Sequence, residues 1–389
     1  MSVEKGQNID KLNTCKCTAA DATDNFHSDS TNDEGRRLKK TVKVGTRGSK
    51  LALAQTELVI DALRERFPEI DFQMVTMSTR GDRDTSRALL EFGGKAVFVE
   101  EFEEAILKGD IDIAVHSAKD MPMEIMDGLT IAGTLPRACP QDVLIYKSSR
   151  TFDKNDSFVV GTSSLRRQYQ IKDMYPNAVC KNLRGNVGTR IQKLADGKYD
   201  AIVLAAAGLE RLGIIEKTDD VLSMQAQTKI EKIEVSEVEK STETETSEKK
   251  DKVIVDKNNG STSCFEVHKD ELTFRYLSTE AMLPAACQGI IAIETRTSGE
   301  VYDMVRAIND TEAYTQLTCE RAVLNRLNAG CHEPIGVYSE LDGDHMKLSL
   351  MKADTAASDK DKDEEIQIHR KIVEGNTADW EQLVEALIK

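Results

Sequence analysis

Aromatic residues and prolines are scarce in this chain of 389 residues: aromatics make up 5%, with a single Trp, and there are 7 prolines. Nucleic-acid binding favours a basic surface that bears aromatic side chains, whereas the whole chain has a net charge of −15 and its motif-bearing residues 41–216 are close to neutral. Long apolar runs are also missing, and none approaches the ~18 residues of a membrane-spanning helix. The first residues, MSVEKGQNIDKLNTCKC, lack the apolar segment of a secretory signal. These absences argue against nucleic-acid binding, membrane insertion and secretion.

Cysteines are present but form no recognisable pattern. The eight of them are scattered through the chain, and no set of cysteines and histidines has the spacing of zinc ligands. A disulfide framework is typical of short secreted chains. We therefore expect neither a disulfide framework nor a metal site.

The negative charge lies mostly outside the part of the chain that carries the informative motifs. Residues 41–216 contain 24 Lys and Arg against 25 Asp and Glu. Residues 1–40 are polar, which indicates a disordered leader. Residues 217–277 are predicted to be an acidic low-complexity insertion, with KIEKIEVSEVEKSTETETSEKKDK at its centre. A long surface insertion of this kind adds little closure entropy.

Strand-like and helix-like segments alternate from residue 41 to about residue 215. TVKVGT is typical of a strand, and the helical segment after it places Leu51, Ala54, Leu58, Ala62 and Leu63 on one face. The same alternation continues through IDIAVHSA, DSFVVGTS and DAIVLAAAG. This pattern predicts layered α/β domains.

Three loops combine Gly, Thr and Arg before a predicted helix. VGT occurs near Arg47, near Arg166 with Arg167, and near Arg190, and Arg184 shares the last loop. Glycine allows a ligand to approach the backbone, and arginine binds carboxylate or phosphate bidentately. Because phosphate-loop and dinucleotide-loop sequences are absent, the loops predict a site for a small polyanion. The alternative is exposed arginines, or arginines paired with neighbouring carboxylates.

A short buried strand ends in Lys119 and Asp120, in the sequence DIAVHSAKDMP. Ligands of open α/β sheets lie beyond the carboxyl ends of the strands. Both side chains are therefore expected in the ligand crevice, where Asp120 would hold an N–H group or stabilise positive charge. A local surface ion pair is the alternative.

Cys331 stands between glycine and proline in LNAGCHEPIG. Free cysteines are most often small buried hydrophobes. The other interpretations are a nucleophile or an attachment point for a covalent group, and composition does not separate the three.

Ten segments together resemble the porphobilinogen deaminase (hydroxymethylbilane synthase) family. In chain order they are GTRGSKLALAQ, TRGD, GGKAVFVEEFE, DIAVHSAKDMP, GTSSLRRQ, LRGNVGTR, LAAAGLERLG, LPAACQGI, ERAVLNRL and AGCHEPIG. The resemblance covers roughly residues 41–216 and 275–389.

The resemblance implies three α/β domains, the first two like the lobes of a type II periplasmic binding protein. The third is a smaller α+β domain that carries the cofactor cysteine. The expected bounds are 41–137 plus about 278–297 for the first domain, 138–216 for the second and 298–389 for the third.

The implied activity is a transferase reaction of haem and chlorophyll biosynthesis. Four porphobilinogen molecules are condensed head to tail on a covalent dipyrromethane primer, one per chain, with release of ammonia. Hydrolysis then frees the linear tetrapyrrole hydroxymethylbilane. The resemblance also implies a monomer that passes its product to uroporphyrinogen-III synthase. A cytoplasmic location is expected, with the plastid as the alternative.

Matching motifs assign expected roles to individual residues. Cys331 is the expected cofactor attachment point, and Asp120 is the expected catalytic carboxylate. Residues 79–94 match a mobile loop, and Phe98 matches an aromatic beside the cofactor. Binding of cofactor and substrate carboxylates is expected for Arg47, Ser49, Lys95, Ser117, Lys119, Thr162, Ser163, Ser164, Arg166, Arg167, Arg184, Gly185, Arg190, Arg211 and Gln288.

The chain departs from the family pattern at three places. Cys287 stands where a small residue is usual, and we expect it to be structural. Glu91 replaces a frequent lysine, and the acidic insertion is unusually long. Two other hypotheses are a non-catalytic polycarboxylate-binding module and an interaction protein that recruits a partner through the insertion. A binding module would need neither Cys331 nor Asp120.

Overall fold

The computed structural model describes residues 40–78, 99–217, 252–255, 265–269, 271–330, 333–354 and 367–389. The strands are β1 Thr41–Arg47, β2 Asp71–Met77, β3 Ile113–Ser117, β4 Leu129–Thr134, β5 Asp142–Lys147, β6 Val159–Gly161, β7 Val179–Lys181, β8 Ala201–Ala205, β9 Lys252–Val255, β10 Phe265–Lys269, β11 Leu272–Tyr276, β12 Ile291–Arg296, β13 Ile335–Asp342, β14 His345–Ala353 and β15 Ile368–Asn376. The helices are α1 Lys50–Arg66, α2 Glu100–Lys108, α3 Leu165–Met174, α4 Val187–Ala195, α5 Ala206–Arg211, α6 Glu300–Ala307, α7 Thr311–Arg326 and α8 Trp380–Ile388. None of the helices in these ranges has the length and hydropathy needed to cross a membrane.

The first sheet has the strand order β2-β1-β3-β12-β4. β1, β2 and β3 are parallel, and β12 runs antiparallel to β3 and β4. Because β1 and β3 pair in parallel, their carboxyl ends lie at the same edge of the sheet. This edge carries the motifs around Arg47 and Asp120.

The buried face of α1 agrees with the predicted one at Leu63 and differs from it at Leu58. Val59, Ile60 and Leu63 are buried, whereas Leu58 is 44% exposed. The buried face also includes two polar residues, Gln55 and Thr56. Both form hydrogen bonds, Gln55 with the Ser117 hydroxyl at 2.9 Å and Thr56 with a backbone carbonyl of its own helix at 2.9 Å. Apolar periodicity alone misplaced part of this face because satisfied polar groups can be buried.

The second sheet has the order β7-β6-β8-β5-β11-β10-β9 and repeats the pattern of the first. β6, β7 and β8 are parallel, and β5 is antiparallel to β8. The insertion was expected to run to residue 277, but it ends earlier. β11 pairs with β5 and buries Phe274 and Tyr276, so this strand belongs to the second sheet. β9 and β10, within the expected insertion, extend the same sheet rather than remaining without regular structure.

The third domain is a sheet of order β13-β14-β15 covered by α7 and α8. α6 does not belong to it, although the expected boundary was residue 298. Met304 and Val305 of α6 lie in the core of the first domain with Val44 and Ile293. With this correction, the three-domain α/β architecture expected from the sequence is confirmed.

Two segments, residues 135–141 and 277–290, cross between the first and second domains. The carboxylate of Glu320 bonds both of them to the third domain. Glu320 of α7 is fully buried and accepts hydrogen bonds from Arg137 at 2.6 and 3.3 Å. It also accepts from the Cys287 backbone N–H at 2.5 Å and from the Ser339 backbone and hydroxyl at 2.8 and 2.7 Å. The Arg137 guanidinium lies over the Tyr338 ring at 4.9 Å.

Replacing Glu320 by Gln is expected to lower the free energy of unfolding by about 3 kcal/mol, since it leaves the Arg137 charge buried without a counter-ion. The measurement is the urea-unfolding free energy of wild type and variant. Glu385→Gln is the matched control, because its partner Arg326 is exposed and such pairs contribute less than about 1 kcal/mol. Equal losses for the two variants would contradict the proposed anchoring role of Glu320.

Candidate active site

The candidate site lies where the parallel strands of the first two sheets end. β1 and β3 end at Arg47 and Ser117, and β6 and β8 end at Gly161 and Ala205. Ligands of open α/β sheets bind beyond these ends. The loops that follow contain most of the residues singled out from the sequence, and the crossing segments run between them.

Arg166 and Arg167 at the start of α3 converge on one carboxylate, Asp142. The three residues are 3%, 7% and 0% exposed. Arg167 donates to Asp142 Oδ1 from Nη2 at 2.6 Å and from Nε at 3.1 Å. Arg166 Nη1 lies 2.8 Å from Asp142 Oδ2 and donates to the Leu283 carbonyl at 2.6 Å. The ion pair with a carboxylate, an alternative left open by the sequence, is therefore present.

The charges of this cluster do not balance. Burial raises the pKa of Asp142, but the two arginines outweigh it and hold that pKa well below its usual range. Burial lowers the pKa of Arg166, Asp142 raises it, and Arg167 lowers it again. Two guanidinium groups share one carboxylate, so the pair retains a net positive charge away from bulk water.

Lys119 and Asp120 follow β3 in a 3₁₀ turn, Ala118–Asp120, beside the arginine pair. Lys119 is half-buried and Asp120 is exposed. Burial lowers the pKa of Lys119 to about 8; Asp120 and Asp142 oppose this shift, whereas Arg166 and Arg167 add to it. The turn therefore brings a cation and an accessible carboxylate to the arginine pair, and their place in a ligand crevice stays a prediction.

Gln288 connects Lys119 to the buried carboxylate. Its side chain is fully buried and its Nε2 donates to Asp142 Oδ1 at 3.0 Å and to the Pro140 carbonyl at 2.7 Å. Its Oε1 accepts from Lys119 Nζ at 3.3 Å. The second crossing segment therefore supplies a polar link between loops of the first two domains.

The third arginine loop lies between β7 and α4. Asn186 is the N-cap of α4, and its side-chain oxygen accepts a hydrogen bond from Thr189 N at 2.9 Å. Gly185 has a φ of +112°, and an added Cβ would lie 2.8 Å from Thr189 Cγ2. Arg190 Nε donates to the Gly185 carbonyl at 2.7 Å. Thus Gly185 shapes the loop that holds this arginine.

Arg190 belongs electrostatically to the same cluster as Asp120 and Arg167. Burial and the charge of Arg167 lower the pKa of Arg190, and the carboxylate of Asp120 partly opposes them. Arg184, in the same loop, is exposed.

Arg211 lies at the end of α5 and donates to the Gly289 carbonyl in the second crossing segment. Burial lowers the pKa of Arg211 to about 10. Gly289 has a φ of +93°, and a Cβ there would lie 2.3 Å from the Ala138 carbonyl oxygen. The two crossing segments are therefore packed backbone to backbone, and only glycine fits.

Two predicted binding hydroxyls of the first domain have structural partners. Ser49 is the N-cap of α1, and its hydroxyl accepts a hydrogen bond from Ala52 N at 3.2 Å. Ser117 and Gln55 exchange hydrogen bonds at 2.9 and 3.2 Å. Arg47, before Ser49, is half-buried at the end of β1.

The hydroxyls of the second domain stabilise the turn before α3. Thr162 Oγ1 accepts from Ser164 N at 3.2 Å. Ser163 bonds through its hydroxyl to the Leu183 backbone carbonyl and N–H at 3.0 and 3.1 Å. Ser164 stands at the N-cap position of α3 but makes no side-chain capping hydrogen bond. The turn therefore positions the arginine pair, and contact of these hydroxyls with substrate remains a prediction.

Cys287 lies in the core between the first and third domains, as expected for a structural residue. It is 1% exposed, and its Sγ lies 3.8 Å from the Leu317 carbonyl. Its φ of +61° is a conformation that favours glycine. The usual small residue at this position therefore has a backbone explanation.

Several predicted site residues lie outside the described residues. They are Lys95, Phe98 and Cys331, with the loop 79–94 that includes Glu91. The leader 1–40 is described only at Lys40.

Asp142 was missed by the sequence reasoning. It opens the strand segment DVLIYK, whose other residues are mostly buried. A charged residue at the start of such a strand, together with unexplained arginines elsewhere, was the available signal. The pairing itself joins distant parts of the chain and no local pattern encodes it.

The chain matches two family models along its length. One, described as "Porphobilinogen deaminase, dipyromethane cofactor binding domain", covers residues 42–242. The other, "Porphobilinogen deaminase, C-terminal domain", covers residues 314–388. Together they span the loops of the candidate site and the third domain.

Curated relatives agree with these models. The porphobilinogen deaminase of Streptococcus sanguinis (strain SK36) is 36% identical over 317 residues, which is 81% of this chain and 87% of the relative. That of Alkaliphilus metalliredigens (strain QYMF) is 32% identical over 356 residues, 90% of this chain and 93% of the relative. Among solved structures, the BenM effector binding domain with benzoate aligns with a TM-score of 0.34 at 11% identity, covering 75% of this chain and 95% of that chain. The two family models and the extent of the matches to relatives show that this chain belongs to the porphobilinogen deaminase family.

Proposed function

We propose that this chain joins four porphobilinogen molecules head to tail on a covalent dipyrromethane, releasing ammonia at each addition and then hydroxymethylbilane by hydrolysis. Membership of the family supports the transferase class and the dipyrromethane cofactor. The assignment of individual residues rests on the matched motifs and on the geometry of the site.

The observation that carries the assignment is a surplus of sequestered positive charge. Arg166 and Arg167 share a single buried carboxylate, and Lys119 is bonded to the Gln288 amide beside them, with Asp120 and Asp142 as the carboxylates that act on it. Burial destabilises the charged forms of Arg166 and Lys119. Sequestered charge is costly unless it is paired. A bound polyanion would supply the missing negative charge and raise these pKa values again.

Dipyrromethane and porphobilinogen fit this requirement, because each pyrrole unit carries an acetate and a propionate. Bound through a thioether to Cys331, dipyrromethane would supply the pyrrole carbon on which the chain grows. The residues proposed to hold carboxylates of cofactor and substrate are Arg47, Lys119, Arg166, Arg167, Arg184, Arg190 and Arg211.

Asp120 is proposed to act on the pyrrole nitrogen. Its carboxylate is exposed beside Lys119 and within the electrostatic influence of Arg190. An ionised carboxylate accepts a pyrrole N–H and stabilises the positive charge that develops on the substrate ring as ammonia leaves.

Three further proposals rest on the family resemblance. They are transfer of the product to uroporphyrinogen-III synthase, a monomeric state, and a location in the cytoplasm or the plastid.

Incubation of the purified protein with porphobilinogen tests the function. Release of four ammonia molecules per hydroxymethylbilane, with a series of enzyme masses spaced by one pyrrole unit under denaturing conditions, is expected. A polycarboxylate-binding module would bind porphobilinogen without releasing ammonia and without covalent additions. That outcome would overturn the proposal.

A further inference from the structure

Asp142 occupies the junction at which the first crossing segment enters the second sheet. Its carboxylate is fully buried and is contacted by α3 and by the second crossing segment. Neither its position in the sequence nor the expected set of binding residues assigns it a role.

We propose that Asp142 is the positioning residue of the anion site: its one carboxylate sets the places of Arg166 and Arg167 and, through Gln288, that of Lys119. The proposal rests on the proposed function, since it concerns the same cluster. Asp142 touches no substrate in this scheme and acts through the cations.

Asp142 holds both members of the arginine pair. Asp142 Oδ1 accepts from two atoms of the Arg167 guanidinium, at 2.6 and 3.1 Å, and Oδ2 lies 2.8 Å from Arg166. A further bond from Arg167 Nη1 to the Val203 carbonyl at 3.0 Å fixes the plane of that guanidinium. Arginine side chains have many rotamers, so these contacts select one placement for each before any ligand arrives.

Asp142 also sets the orientation of the Gln288 amide. Asp142 Oδ1 and the Pro140 carbonyl are both acceptors, so the NH₂ group of Gln288 must face them. The amide oxygen is then left toward Lys119 Nζ at 3.3 Å. A buried carboxylate therefore determines which atom Lys119 meets.

Asp142 also acts on the charge of Lys119. The groups that act on the Lys119 ammonium are Asp120 in its own turn, Asp142 on β5, and Arg166 and Arg167 on α3. The two arginines repel it, and Asp142 is the buried carboxylate that offsets them. Without the charge of Asp142, Lys119 would lose its proton at lower pH.

Asp142→Asn preserves the side-chain size and removes the charge. In the holoenzyme, kcat/KM for porphobilinogen is expected to fall about 100-fold, the loss typical of misplaced binding groups. The alkaline limb of the pH profile of kcat/KM is expected to move to lower pH by about one pH unit. Loss of the Asp142 charge favours the neutral amine of Lys119. NMR of lysine labelled at 13Cε, with Lys119→Arg for assignment, measures the same titration without turnover.

Asp173→Asn is the matched control, since Asp173 lies on α3, the helix of Arg166 and Arg167, is 54% exposed and pairs with Arg370 outside the cluster. It should leave kcat/KM, the alkaline limb and the Lys119 titration unchanged. Asp142→Asn with an unshifted Lys119 titration would overturn the proposal, whatever its activity. A wild-type holoenzyme that releases no ammonia would instead defeat the proposed function, while the NMR comparison would still decide the role of Asp142.

Gln288→Met covers the case in which Asp142→Asn does not fold. It keeps the pair of arginines on Asp142 and removes the amide that links Asp142 to Lys119, both the oxygen that accepts from Lys119 and the NH₂ group that donates to Asp142 and the Pro140 carbonyl. The Lys119 titration and the alkaline limb are expected at lower pH than in wild type, because a hydrogen bond to the charged form is lost. Wild-type values for both would overturn the proposal.

Discussion

Cys331→Ser is expected to yield a protein whose mass equals that of the bare polypeptide and which forms no hydroxymethylbilane. A thiolate is a far better nucleophile than a serine hydroxyl, so the thioether to dipyrromethane would not form. Without it, growing chains have no anchor. The measurement is the intact mass under denaturing conditions, beside ammonia release from porphobilinogen.

Three of the described cysteines, Cys180, Cys287 and Cys319, are poor attachment points. Cys287 and Cys319 are at most 1% exposed, and burial raises the pKa of Cys319 to about 12, with a smaller contribution from Glu320. Burial also raises the pKa of Cys180, which Lys172 only partly offsets. Few thiolates form on such groups at neutral pH.

Cys180→Ser is therefore the control for Cys331→Ser, and it should retain the added mass and turnover. A wild-type protein that is active without added mass would contradict cofactor attachment altogether. An added mass that persists in Cys331→Ser would place the attachment at another residue.

Much of the fold was predictable from local sequence because each motif ends a strand. The segments before Arg47, Asp120 and Arg166 have the apolar character of buried strands, and parallel strands bring their ends to one edge. Strand order in the second sheet was less accessible. β11 reads as the end of a polar insertion, and only its pairing with β5 shows that it belongs to the core.

The site was predictable in its residue types and not in its pairings. Adjacent arginines indicated an anion site, yet the anion that they meet in the structure is Asp142, at the start of β5. Gln288 was singled out by its motif, but its link from Asp142 to Lys119 depends on the packing of the two crossing segments. Local patterns carry propensity and chemistry, whereas such bonds are decided by tertiary contacts.

Asp120→Asn is expected to reduce turnover about 1000-fold, within the range for loss of a group that acts on the reacting atoms. Asn retains the size of the side chain but cannot stabilise positive charge. Because Asp120 is exposed, the free energy of unfolding should change by less than about 0.5 kcal/mol. The attached cofactor, measured by intact mass, should be present, which separates the chemical step from cofactor assembly.

Part of any loss of turnover would arise through Lys119. Burial lowers the pKa of Lys119 to about 8, and the Asp120 charge opposes this shift. Removing this charge lowers the pKa, so at pH 7.5 fewer molecules would carry a protonated Lys119. Turnover is therefore best compared at pH 6.5, where we expect this lysine to remain largely protonated in both proteins. Asp127→Asn, at an exposed position in the following loop, serves as the control. A holoenzyme with Asn at position 120 that keeps near-normal turnover at pH 6.5 would remove this carboxylate from the mechanism. A large loss that appears only above pH 7.5 would assign its effect to Lys119 instead.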